Sequence, residues 1–154
     1  MKPVKLSKSR IGLIYELENE SGIFTDTLEY CEKIFEDITS PALMMAFDPG
    51  NFVRNNTDPL KAYKILKDKV AYFHVKDAAG DKFVPSGEDE SNIGEILKLA
   101  YSSGFNGFLS IEPHLGYLTD LSMGQQFSTA CNALKKTLNE YLEANLDLVD
   151  LNSI

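Results

Sequence analysis

Residues 43–75, LMMAFDPGNFVRNNTDPLKAYKILKDKVAYFHV, hold one complete strand–helix–strand unit. Leu43–Phe47 is a short, continuous apolar run, the pattern of a strand buried on both faces. Asp58-Pro59 supplies an N-cap followed by proline in the first helical turn, and Leu60, Tyr63 and Leu66 form the apolar stripe of the helix behind it. Val70–Val75 then returns to a strand.

The same unit recurs on both sides. Upstream, residues 11–17 (IGLIYEL) read as a strand, and Asp26 with Glu29 three residues later forms a capping-box-like start. That start opens a helix bearing Leu28, Cys31, Ile34, Phe35 and Ile38, and Pro41 marks its exit. Downstream, Ser91 is placed to cap a helix with Ile93, Ile96, Leu97, Ala100 and Tyr101 on one face, ending at Gly104. Phe108–Ile111 (FLSI) is a fourth strand. A last helix carries Phe127, Cys131, Leu134, Leu138, Tyr141 and Leu142 at spacings of three and four. The order βαβαβαβα predicts an α/β fold with a parallel sheet covered by helices. Four βα units are half of a (β/α)8 barrel, which takes about 250 residues, so residues 1–154 are expected to form a single domain of half-barrel size. A polar loop over 78–92 and a polar tail after Asn145 are the only interruptions.

Composition narrows the partners. With 154 residues, 44% of them apolar and 25% charged, the chain has material for a real core. A net charge of −8 argues against a broad surface for nucleic acid or for an anionic membrane. No apolar run approaches the roughly 20 residues of a membrane span. The basic stretch 1–10 is followed too soon by Glu16 to form a signal peptide, so a cytoplasmic location is expected. Cys31 and Cys131 both sit on predicted helix stripes and read as buried free thiols.

Each strand ends on a potential metal ligand: Glu18, Asp48, His74 and Glu112, separated by 30, 26 and 38 residues, about one βα unit each. In a parallel barrel these strand ends share one face, the face that carries active sites. Each residue alone has an ordinary reading. Glu18 can be a solvated loop acid, Asp48 a turn former before Pro49-Gly50, His74 a hydrogen-bonded core residue and Glu112 a strand cap. Four coincidences in phase with the βα period favour a metal site. Three carboxylates and one imidazole suit Mn²⁺ or Mg²⁺, with Co²⁺ or Zn²⁺ also accommodated.

The segments Leu17-Glu18-Asn19-Glu20, Phe47-Asp48-Pro49-Gly50-Asn51, His74-Val75-Lys76-Asp77-Ala78 and Ile111-Glu112-Pro113-His114-Leu115 resemble, in order, the last four strand ends of the xylose-isomerase-like sugar isomerase/epimerase TIM barrels. The resemblance spans residues 11–142, the C-terminal half of such a barrel. It implies that Glu18, Asp48, His74 and Glu112 hold a divalent metal ion, and that Glu18 and Glu112 double as the catalytic acid/base pair. It also implies a metal-dependent isomerase or epimerase of carbohydrate metabolism that moves a proton α to a carbonyl through an enediolate, with a sugar or cyclitol as substrate. Asn51, Lys76 and His114 are the candidate substrate contacts, with Asp77 beside them. Two positions depart from the family pattern. Asn51 stands where ketose epimerases have histidine, and Asp89 replaces the second glycine of a Gly-Glu-Gly turn at Gly87-Glu88. Alternatives are a non-catalytic, truncated remnant of the barrel and, less favoured, a relative of the abasic-site endonucleases, which the acidic charge and only two histidines oppose. Half a barrel has two unpaired sheet edges, so the expected macromolecular partner is a second copy, as a homodimer, or a separately encoded N-terminal half-barrel, with no nucleic acid and no membrane.

Overall fold

Four strands lie parallel and side by side in the order in which the chain reaches them. The structure, a computed structural model, describes residues 14–88 and 91–142. Its elements are β1 (Tyr15–Glu18), α1 (Leu28–Asp37), β2 (Leu43–Phe47), α2 (Pro49–Arg54), α3 (Pro59–Leu66), β3 (Val70–Val75), β4 (Asp77–Ala79), β5 (Lys82–Val84), α4 (Ile93–Ser102), β6 (Phe108–Ile111) and α5 (Met123–Leu142). The main sheet runs β1-β2-β3-β6, all parallel, and β4-β5 is a separate antiparallel hairpin. Pairings of Glu18 with Ala46, Phe47 with Phe73 and Val75 with Ile111 keep the C-terminal strand ends level. The α/β class and parallel sheet expected from the alternation are present.

Strand alternation sorts the side chains by face. Met45, Phe47, Phe73 and Val75 enter the core beneath the helices, with Leu109 and Ile111 packed against it. There Phe47 meets Phe52, Tyr63 and Phe73 at ring separations of 5.3, 5.6 and 5.8 Å, within the range of favourable aromatic pairs. The opposite face carries Glu18, Tyr72, His74 and Ser110. Tyr72 lies against the rings of His74 and Phe108, and Phe108 remains 77% exposed. Cys31 and Cys131 are free and buried, and burial pushes the Cys31 thiol up to about 12, which makes it inert.

Several local expectations are corrected. The β1 strand occupies Tyr15–Glu18, and residues 11–13 of the expected strand lie outside the described residues. Thr27, not Asp26, caps α1, because its hydroxyl accepts from the Tyr30 amide. Ser91 does not cap α4. The N-cap position is Asn92, in a left-handed conformation with no side-chain cap. The last helix starts earlier than its apolar stripe, at a capping box in which Ser122 and Gln125 exchange side-chain-to-amide hydrogen bonds. Tyr101, Phe127 and Tyr141, read as stripe residues, are exposed at the stripe margins. The loop over 78–92 contains the unexpected β4-β5 hairpin, whose two-residue turn Gly80-Asp81 uses a positive φ at Gly80.

Gly107 is required where β6 begins. A Cβ there would stand 2.3 Å from the Ala71 carbonyl oxygen, a backbone atom that no rotamer change can move. Gly107→Ala is expected to cost about 1–3 kcal/mol. Thermal unfolding followed by circular dichroism should then show a Tm lower by on the order of 3 °C per kcal/mol. An unchanged Tm would contradict this packing.

Candidate metal centre

Glu18 ends β1, Asp48 follows β2, His74 lies next to last in β3 and Glu112 follows β6. One ligand atom from each of the four lies within 4.8 Å of those of the others. The His74 Nδ1 is 2.8 Å from Glu18 Oε1 and 3.1 Å from Glu112 Oε1, so imidazole and carboxylates converge on one point. That hydrogen bond lowers the Glu18 carboxyl below its ordinary range although burial opposes it, and it raises His74 against the same opposition.

Asp48 is reached differently. As N-cap of α2, with Pro49 next, it accepts the Asn51 amide at Oδ1, 2.9 Å away. The turn role and the convergence with the other ligands therefore coexist in one side chain. Asp48 is fully buried, and burial pushes its carboxyl up to about 6 despite the opposing Lys76 ammonium. Lys76 Nζ lies 2.9 Å from Asp48 Oδ2 and 3.0 Å from Glu112 Oε2. The contact with Oδ2 is a charge contact without hydrogen-bond alignment, which leaves that buried oxygen with no aligned donor. An ionised oxygen in that condition fits a cation. Burial works against the Lys76 charge, but the two carboxylates outweigh it and hold the ammonium above its ordinary range. The close approach of α2 is made at Gly50, where a Cβ would come 3.0 Å from the Lys76 backbone.

The other candidate substrate contacts divide. Lys76 is buried and committed to two carboxylates. Asn51 is also fully buried, and neither its Oδ1 nor its Nδ2 has a hydrogen-bond partner among the described residues. His114 is exposed at the rim, its Nε2 3.9 Å from Glu112 Oε2. Asp77 does not face the cluster's opening. It is buried and accepts the Ala78, Gly87 and Ser91 amides, which ties both ends of the loop over 77–91 together.

Sequence reasoning passed over three positioning residues. Asn19, fully buried, donates to the Asp48 carbonyl at 2.7 Å and accepts the Asp48 amide at 2.8 Å, so it locks the backbone of one ligand beside its neighbour Glu18. Thr25 donates to the Glu18 carbonyl at 2.6 Å. Phe83, on β5, lies against Lys76 and His114. The Gly80-Asp81 pair was the available signal for that hairpin. An asparagine following a strand-end acid carries no comparable signal, because its partner is 29 residues away.

The family described as xylose isomerase-like TIM barrel matches residues 5–137. No curated protein matches the chain. A D-tagatose 3-epimerase-like protein superposes with a TM-score of 0.68 at 25% identity, covering 86% of this chain and 49% of its own. A xylose isomerase domain protein from Planctomyces limnophilus gives 0.65 at 20% identity, with coverages of 86% and 49%. A xylose isomerase-like TIM barrel protein from Mycobacterium smegmatis, in complex with magnesium, gives 0.63 at 21%, with 85% and 45%. The chain thus spans about half the length of these structures. Over the greater part of its length, this chain belongs to the xylose isomerase-like TIM barrel family.

Proposed function

We propose that this chain is the metal-bearing half of a divalent-metal-dependent sugar isomerase or epimerase. The observation that carries the reading is the convergence of Glu18, Asp48, His74 and Glu112 from four strand ends. In this reading all four hold one Mn²⁺ or Mg²⁺ ion, with Co²⁺ or Zn²⁺ as other occupants. His74 Nδ1, 2.8 Å from Glu18 Oε1 and 3.1 Å from Glu112 Oε1, marks where a cation's charge would serve. Bound there, the ion supplies positive charge against the enediolate that forms when a proton leaves carbon next to a carbonyl.

The chain's own groups divide the remaining work. Glu18 ends, and Glu112 directly follows, the two outermost strands of the described sheet, with His74 between them. A sugar lying between the two carboxylates can lose a proton to one and regain it from the other, as isomerisation or epimerisation requires. Asn19 and Thr25 keep the ligand backbones in place, so little reorganisation accompanies the reaction. Lys76 balances one of three carboxylate charges. A second reading, a non-catalytic remnant, draws on the half-length coverage of the relatives. Tight metal binding separates the two readings, since a remnant has no need to retain it.

Ligation needs Asp48 ionised and His74 free of its proton, and both hold protons to higher pH than their ordinary values of 3.8 and 6.5. Mn²⁺ affinity, measured by calorimetry, is therefore expected to weaken steadily as pH falls, first as His74 takes up its proton above 6.5 and then as Asp48 takes up its own at about 6. A flat profile would remove these two ligands.

Glu112→Gln keeps the shape of the side chain but loses its charge and basicity. Mn²⁺ affinity should fall by at least the roughly 10–100-fold that even loss of an outer-shell partner costs. Aldose–ketose or epimerase turnover in the assembled protein should drop by on the order of 100-fold or more, with an unaltered circular dichroism spectrum. Retained turnover would refute the acid/base role.

The outer edges of β1 and β6 have no strand partner among the described residues, and the ligand-bearing face exposes Phe108. Edges and apolar surface of this kind favour association. The chain is accordingly expected to pair, with a second copy or with a separate half-barrel. Static light scattering at micromolar concentration checks this, and a well-folded monomer would rule it out.

A further inference from the structure

Around the Phe83 ring stand three basic side chains in a chain whose net charge is −8. Arg54 Cζ lies over the ring at 4.7 Å from its centroid, Lys76 Nζ at 5.0 Å, and the His114 ring at 5.2 Å. They come from three different places in the sequence: the end of α2, the segment after β3 and the loop after β6. The hairpin that presents Phe83 is fixed. Asp77 accepts the amides of Ala78, Gly87 and Ser91, and Thr137 of α5 donates to the Ser86 carbonyl at 3.2 Å.

The three bases are not equivalent. Lys76 is neutralised by Asp48 and Glu112. His114 has Glu112 as its one ion-pair contact among the described residues, at 3.9 Å, from a left-handed backbone with φ 45°, uncommon outside glycine. Arg54 is exposed, and its side chain makes neither an ion pair nor a hydrogen bond among the described residues. An arginine at the end of a short helix ordinarily serves the helix dipole. Arg54, however, is drawn over an aromatic ring that also touches the ligand cluster's own lysine, with its guanidinium donors uncommitted among the described residues. A guanidinium stacked in this way is pre-organised to receive a carboxylate or phosphate through paired hydrogen bonds. Charge balance points the same way. With a divalent ion among three carboxylates and Lys76, the centre would be close to neutral, and Arg54, on the same ring as Lys76, has no ion pair among the described residues.

We propose that Arg54, seated on Phe83 and flanked by His114, forms a subsite for an anionic substituent, a carboxylate or a phosphate, on a sugar or cyclitol. The inference rests on the functional reading above, in which the other end of that substrate lies at Glu18, Asp48, His74 and Glu112. It narrows the substrate class to acidic or phosphorylated compounds rather than neutral sugars.

Calorimetry on the full chain tests this in separable arms. Mn²⁺ alone is titrated first, into the wild type and into Arg54→Gln. The protein, with and without Mn²⁺, then receives D-fructose, D-fructose 6-phosphate or 5-keto-D-gluconate, which share a hydroxyketone and differ in anionic group. At least one anionic compound should bind about tenfold or more tighter than fructose, as a charge-assisted hydrogen bond implies. Arg54→Gln should erase that difference without changing Mn²⁺ affinity. Which anion gains identifies the carboxylate or the phosphate. Equal affinities of anionic and neutral compounds in the wild type, no binding of either anion, or an advantage that survives in Arg54→Gln would each overturn the subsite. Absent Mn²⁺ binding would instead defeat the metal reading, and the metal-free titrations would still decide the role of Arg54.

Discussion

Three carboxylates and an imidazole held within 4.8 Å of one another are a repulsive arrangement unless positive charge lies among them, and the C-terminal face of this sheet is organised around that requirement. His74 lies between Glu18 and Glu112, and Lys76 lies between Asp48 and Glu112. Each basic group thus serves two acids. The compensation is incomplete at Asp48, whose carboxyl remains pushed up to about 6 by burial. A fully buried acid with one oxygen lacking an aligned donor is a cost to the folded chain. Such costs are retained where a site needs them.

The same requirement explains the surrounding scaffold. Asn19 grips both main-chain groups of Asp48, and Thr25 holds the carbonyl of Glu18, so the two neighbouring strand ends cannot splay under charge repulsion. Gly50 lets the first turn of α2 approach the backbone of Lys76, close enough for the lysine to reach Asp48. Asp77, next to Lys76, spends its carboxylate on the amides of its own loop and so fixes the hairpin that carries Phe83. Strand-end acids, their cations and the loop beyond them form one connected structure, and that connection joins the ligand cluster to the rim where Arg54 and His114 stand.

Much of this is legible in the amino-acid sequence. The alternation of short apolar strands with amphipathic helices determined the parallel α/β class, because strands covered by helices on crossover connections have no other economical arrangement. The phase of Glu18, Asp48, His74 and Glu112 with the strand ends was likewise legible, since parallel strands carry their C-termini to one side. Local chemistry was read less well. Thr27 displaced Asp26 as a cap, Asn92 stood where Ser91 was expected, and the Ser122–Gln125 capping box was passed over in favour of the apolar stripe behind it. Competing caps one residue apart differ by less than the tertiary contacts that choose between them.

What the sequence determined by itself is therefore the periodic part: fold class, strand order, and the side of the sheet on which four potential ligands emerge. Only the tertiary structure decided how their charges are shared and what each neighbouring polar group does. Lys76 and Asn51 read as candidate substrate contacts in the sequence, yet both are buried, Lys76 between two acids and Asn51 with no side-chain hydrogen-bond partner among the described residues. Asn19 joins Asp48 across 29 residues, and Phe83 meets Arg54 and His114 across comparable separations. A periodic pattern records which face a residue occupies because it is local to the chain. The distance between two side chains on different strands is set by register and loop packing, and no single segment encodes it.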